Sequence, residues 1–223
     1  MLAGQIGLNP GLMNLRPSLS QQFDQIIRNY NSTLREILQS KDEDADLIEQ
    51  TCVKAVLYVS RDTQINDELS DQIDTFKKHS MPVTILRVNT LPKNAPLELE
   101  MVAVPNKQEL KQHRINDANI LLEKNGEIQY LFTRFDSLED FLSGDLDLFS
   151  KQEPKEGRDA ILRVDVYHPV NVTLDPKVMD HIRRLKHAAY SFIPVLDCLH
   201  AKSLDQMKGF TNTNGLVITV EYI

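Results

Sequence analysis

The sequence predicts an α/β protein with a helical N-terminal extension and a small C-terminal α+β module. Three observations carry this reading. Apolar residues recur at helical spacing from Leu19 to Leu38, and the middle of the chain alternates β-rich runs with helical ones. After a polar stretch at residues 150–158, the order strand, strand, helix, helix, strand follows. The expected domains are therefore an arm and amphipathic helix over 1–50, an α/β domain over 51–149 and a C-terminal module over 159–223. Residues 150–158, which contain Pro154 and Gly157, are read as a linker.

Residues 1–17 hold three of the eight glycines with Pro10 and Pro17 and show no periodicity, which reads as an arm ordered only against a partner. Ser18 with Gln21 then makes a capping box. Leu19, Phe23, Ile26, Ile27, Tyr30, Leu34, Ile37 and Leu38 form one stripe of about six turns. Val53–Val59 is a strand, Asp67–His79 a helix, Val83–Val88 a second strand behind Pro82, and Leu97–Val104 a third. Asn106 is expected to cap a helix through His113. Strands 120–123 and 127–132 flank Asn125-Gly126, a strong hairpin signal. Ser137 caps a helix over 138–142.

Beyond the linker, Leu162, Val164 and Val166 alternate with polar residues, and Val170, Val172 and Leu174 alternate again. Asp175-Pro176 starts a helix with the stripe Val178, Ile182, Leu185, Ala189 and Phe192, which Pro194 kinks or ends. Leu216–Ile223 alternates as a last strand that is expected to pair with something. No internal repeat is evident.

The middle segment, roughly Val53 to Ser143, resembles a thioredoxin-like fold. The resemblance is carried by Ala118-Asn119-Ile120-Leu121-Leu122-Glu123-Lys124-Asn125-Gly126-Glu127-Ile128, a hairpin with a Lys-Asn-Gly turn, followed by the helix from Ser137 to Leu142. It implies a thioredoxin-like central domain. The family's Cys-x-x-Cys is replaced by Ser60-Arg61-Asp62-Thr63, and its cis-proline by Asn116-Asp117-Ala118. Dithiol exchange needs both thiols, so the resemblance implies a redox-dead scaffold. A second resemblance is to haloacid-dehalogenase-like phosphatases, with Asp62, Thr90, Lys107 and Glu123 in the family's order. Here Ser60-Arg61-Asp62 stands where that family has Asp-x-Asp.

A net charge of −7 and a pI near 5.4 argue against a general nucleic-acid binder. No run approaches the ~20 apolar residues that span a bilayer, and the N-terminus does not read as a secretory signal. The two cysteines, Cys52 and Cys198, read as free thiols in a reducing compartment, so a cytoplasmic location is expected. Phosphate-cradling glycine motifs, nucleophile elbows and zinc-helix motifs are absent. His168, His181, His187 and His200 lack zinc spacing and read as surface residues, so neither a metal nor another cofactor is expected. Lys177, His181, Arg183, Arg184, Lys186 and His187 make one helix locally basic, which reads as a solvated face or as a dock for an acidic partner or, least favoured, a nucleic-acid backbone through Arg183, Arg184 and Lys186.

The function expected from the sequence is a non-catalytic protein-binding or assembly role on the thioredoxin-like domain. The alternative is a divergent phosphatase using Asp62. Phe23, Ile27, Tyr30, Leu34, Arg183, Arg184, Val220 and Tyr222 are the interface candidates, for a protein partner or self-assembly. No catalytic residue is assigned.

Overall fold

The computed structural model describes residues 2–42, 45–77, 81–116, 119–144, 162–170, 173–183, 185, 188–199 and 216–222. They form two compact units, one drawn from residues 1–109 and the other from residues 110–200 and 212–223. The expected linker at 150–158 lies outside the described residues.

The first unit contains β1 (Leu2–Ile6), the two-residue strands β2 (Leu8–Asn9) and β3 (Asn14–Leu15), α1 (Leu19–Leu38), α2 (Leu47–Thr51), β4 (Cys52–Ser60), α3 (Asp67–Lys77), β5 (Val83–Val88) and β6 (Leu97–Ala103). Helix α1 begins where Ser18 Oγ accepts the Gln21 amide at 3.2 Å, as the capping signal predicts, and it ends on Gln39 in the left-handed region. Asp46 caps α2 in the same way. The α1 stripe is buried at Phe23, Ile26, Tyr30 and Leu34, and Phe23 meets Phe76 of α3 edge to face at 5.7 Å. The strands run in the order β1-β6-β4-β5. β6 is antiparallel to both β1 and β4, and β4 is parallel to β5. Residues 2–6 are thus an edge strand rather than a loose arm. Gly7 belongs to this packing, since a Cβ there would lie 2.5 Å from that of Gln22.

Asn106 does not start a helix. It adopts φ 59° before a short 3-10 turn at Lys107–Glu109, and the chain enters β7 (Lys111–Asn116) of the second unit. Then come β8 (Asn119–Lys124), β9 (Glu127–Phe135), α4 (Leu138–Ser143), β10 (Leu162–Pro169), α5 (Pro176–Ile182), β11 (Ala188–Val195), a short β12 (Asp197–Leu199) and β13 (Val217–Tyr222). Asn125 and Gly126 turn the hairpin with φ of 54° and 81°, the two positive values such a tight turn needs. Ser137 and Asp175 cap their helices. The sheet order is β11-β10-β13-β9-β8-β7. The apolar stripe predicted to continue as helix through Phe192 instead breaks at Ile182, and Ala188–Val195 pairs in parallel with β10. Pro194 is tolerated because β11 is an edge strand among the described residues.

Each unit repeats one arrangement that the sequence does not advertise. In the second, β9/β13 and β13/β10 are antiparallel and β10/β11 parallel, which reproduces β1/β6, β6/β4 and β4/β5 of the first. Helices fill the same intervals: α1 and α4 lead to the middle strand, and α3 and α5 lie in the crossover to its parallel neighbour. The thioredoxin-like reading therefore fails. The strand–helix–strand of residues 53–88 is real, but the hairpin that completed the resemblance belongs to the other unit, and β4 has β6 as its second neighbour. The C-terminal strand is no open edge, because β13 lies between β10 and β9.

The second unit's core joins Leu131, Phe135, Val164, Val166, Ile218 and Val220 of the sheet to Phe141, Val178 and Ile182 of the helices. Phe141 is fully buried and stacks edge to face on Phe135 and His181. Phe141→Ala should cost about 3–5 kcal/mol in urea unfolding. Ile37→Ala, at a side chain 59% exposed, should stay within about 0.5 kcal/mol.

Candidate functional site

Strand β6 presents two different faces because successive side chains alternate. Leu97, Leu99 and Met101 are fully buried on one, while Glu98 and Glu100 are half-buried on the other. Tyr58 of β4 is the cross-strand neighbour of Glu98, and its hydroxyl lies 3.2 Å from Glu100 Oε2 as donor. The Glu98 side chain makes no hydrogen bond or ion pair among the described residues. Burial, and then the neighbouring Glu100, push its carboxyl above the usual carboxylate range. Gly4 of β1 leaves room for this side chain, since a Cβ at Gly4 would collide with the Glu98 carboxylate. The result is an unpaired carboxyl between a second carboxylate and a phenol, suited to receiving a positive or hydrogen-bond-donating group.

Other polar groups of the unit are committed to the fold. Lys107 Nζ donates to the Cys52 carbonyl at 2.7 Å and the Glu49 carbonyl at 3.3 Å, closing the end of α2. Cys52 is a buried free thiol whose pKa burial pushes up to about 12. Arg87 Nη1 donates to the Ser60, Arg61 and Thr63 carbonyls and fixes the turn after β4. A groove of about 570 Å³ beside β1 is lined by Gln5, Leu8, Met13, Arg28 and Asn29, among others. Its amides hold the 8–16 segment onto α1, with Asn29 donating to the Leu8 carbonyl and Arg16 to Gln25. Among the described residues no three His, Cys, Asp or Glu side chains are grouped to hold a metal ion.

The interface candidates fall mostly inside their own units. Phe23, Tyr30 and Leu34 are buried, and Tyr30 donates its hydroxyl hydrogen to the Leu99 carbonyl. Ile27 is half-buried and Arg183 exposed, Val220 and Tyr222 sit in the central strand β13, and Arg184 lies outside the described residues. Sequence reading missed Glu98, Glu100 and Tyr58. The alternation Leu97-Glu98-Leu99-Glu100-Met101 was the available signal: a strand with one apolar and one acidic face.

The first unit is thus a small α/β unit whose sheet carries two carboxylates on one face. Over 106 residues, 46% of the chain, it is 30% identical to a RutC family protein of Aquifex aeolicus (strain VF5), of which it covers 78%. The chain belongs to the RutC family. No family model matches it. Among solved structures it is similar to the Rid-family protein of unknown function YyfA from Yersinia pestis, at 22% identity over 45% of this chain and 75% of that one, TM-score 0.34. It is likewise similar to the YjgF gene product from E. coli, at 24% identity over 46% and 77%, TM-score 0.35, and to yeast Mmf1, at 22% over 46% and 76%, TM-score 0.36.

Membership in this family, with the strand order above, overturns the thioredoxin-like assignment and the redox-dead adaptor and assembly role built on it. It also overturns the phosphatase alternative. Lys107 is buried on two carbonyls, Asp62 is an exposed turn residue, and Glu123 belongs to β8 of the other unit, 3.7 Å from His113. Among the described residues no helix is long and apolar enough to cross a membrane.

Because folding raises the Glu98 pKa, the neutral form is favoured in the folded state. The stability this group contributes is complete below the ordinary glutamate value and is lost as pH rises through the folded value. Glu98→Gln should therefore match the parent in melting temperature at low pH and exceed it increasingly as pH rises past the ordinary carboxyl range. Cys52, mapped by peptide mass after iodoacetamide at pH 8, should stay unmodified in the folded protein and react in urea.

Proposed function

We propose that the first unit binds a small molecule through a protonated or hydrogen-bond-donating nitrogen, on the face formed by Tyr58, Glu98 and Glu100, with Glu98 exchanging the proton. The observation that supports this is the unpaired, half-buried Glu98 carboxyl beside a second carboxylate. A cation entering there relieves the repulsion between the two acids, and a carboxyl whose pKa is raised holds its proton more readily than an ordinary one. The phenol of Tyr58 orients Glu100 and leaves Glu98 for the ligand.

The reading places the protein in the cytoplasm, in keeping with the free, buried Cys52 thiol. A protein partner or a second copy of the chain remains part of it, and nucleic acid is disfavoured by the net charge of −7.

The test is titration with 1,4-diaminobutane followed by backbone amide shifts. Saturable shifts should appear on β4 and β6, and Glu98→Gln should weaken the apparent affinity on the order of tenfold, the value of a hydrogen bond to a charged group. Gly4→Ala, which displaces the Glu98 carboxylate, should also weaken it. An unchanged affinity in Glu98→Gln, or shifts confined to other strands, would sink the proposal.

A further inference from the structure

The second unit has a face of the same construction, with its charges arranged to the opposite effect. Lys54-Ala55-Val56-Leu57-Tyr58 of β4 matches Arg163-Val164-Asp165-Val166-Tyr167 of β10: a base, apolar residues one and three positions on, and a tyrosine four residues on. Strand register fixes the remaining equivalences. Tyr58 faces Glu98, Val56 faces Glu100 and Lys54 faces Val102. Tyr167 faces Val217, Asp165 faces Thr219 and Arg163 faces Glu221.

The two positions that hold Glu98 and Glu100 thus hold Val217 and Thr219 in the second unit. Its carboxylates have moved to Asp165 and Glu221, both only 1% exposed. Each has an internal partner. Arg163 Nε lies 2.8 Å from Asp165 Oδ2, and the buried Tyr130 hydroxyl donates to Glu221 Oε1 at 2.8 Å. A carboxylate taken out of water is tolerated when a cation or donor compensates it, and one so compensated has little left to offer a ligand.

We infer that the two units divide the work: the first keeps a half-buried Glu98 carboxyl unpaired beside Glu100, while the second is a copy whose carboxylates are met by their own ion pair and hydrogen bond. The chain then binds one nitrogen-bearing ligand, not two, and residues 98 and 100 against 217 and 219 decide which unit binds. The inference rests on the proposed site of the first unit for its ligand, but its stability signature is independent of any ligand.

Two measurements on the full chain test it. In the diaminobutane titration, one equivalent should saturate the shifts, and Asp165→Asn should leave the affinity within about twofold, whereas Glu98→Gln lowers it on the order of tenfold. A second saturable set of shifts on β10 and β13, or an Asp165→Asn loss equal to that of Glu98→Gln, overturns the division. In thermal melting at neutral pH, Glu98→Gln should raise the midpoint, while Asp165→Asn should lower it, because it leaves Arg163 without its carboxylate. If removing charge from the second face also raises the midpoint, that face is open and the inference fails, whatever the titration shows. Absence of any diaminobutane shift, with the melting signs as expected, would fail the proposed ligand and leave the closed second face supported.

Discussion

One constraint organises both halves of the molecule: the strand that comes last in each unit must insert between two strands made earlier. β6 separates β1 from β4, and β13 separates β9 from β10. The helix between those outer strands must carry the chain across two strand spacings, about 9–10 Å, before the gap is filled. α1 and α4 make that span. Without the inserted strand, β1 has no ladder partner among the described residues and the two long strands of each unit have no common neighbour. The inserted strand also carries the chemistry, because Glu98 and Glu100 lie on β6 and Thr219 and Glu221 on β13.

A strand in that central position is buried on its helix side whatever the protein does, so Leu99, Met101, Ile218 and Val220 are set by packing. Only the opposite face is free to vary. There the energetics differ between units. Taking a carboxylate out of water without a partner is costly, and the second unit meets that cost internally with Arg163 and Tyr130. The first unit leaves Glu98 unmatched and only half-buried, a tension that shows as its raised pKa. An imperfectly satisfied group is where a structure has free energy available for something outside itself.

What was legible in the sequence was local. The caps at Ser18, Ser137 and Asp175, the Asn125-Gly126 turn and the Phe23–Leu34 stripe each depend on residues a few positions apart, and each is where expected. What was not legible depends on distant pairing. Ala189 and Phe192 fit a helical stripe as well as strand alternation, and only the parallel ladder with β10 decides between them. The glycines near the N-terminus looked like markers of looseness, yet Gly4 and Gly7 are sites of close approach. The repeated topology is not legible locally because, beyond the short match of β4 with β10, the two units share strand directions rather than residues. The carboxylates of the candidate site were visible as an alternation on β6, but nothing local said that Tyr58 would stand opposite them.

The central place of β13 also shapes how the second unit comes into being on the ribosome. About 80 residues separate Phe135, the last of β9, from Val217, the first of β13. At about 5–20 residues per second, synthesis of that stretch takes roughly 4–16 s. During this interval β9 has one side satisfied at once by its hairpin partner β8, while the side that pairs with β13 waits. Nascent chains paused or cleaved within that stretch expose a row of unpaired backbone groups between two apolar strands. Quality control by chaperones and proteases is therefore expected to act most strongly on chains that stop between Phe135 and Val217.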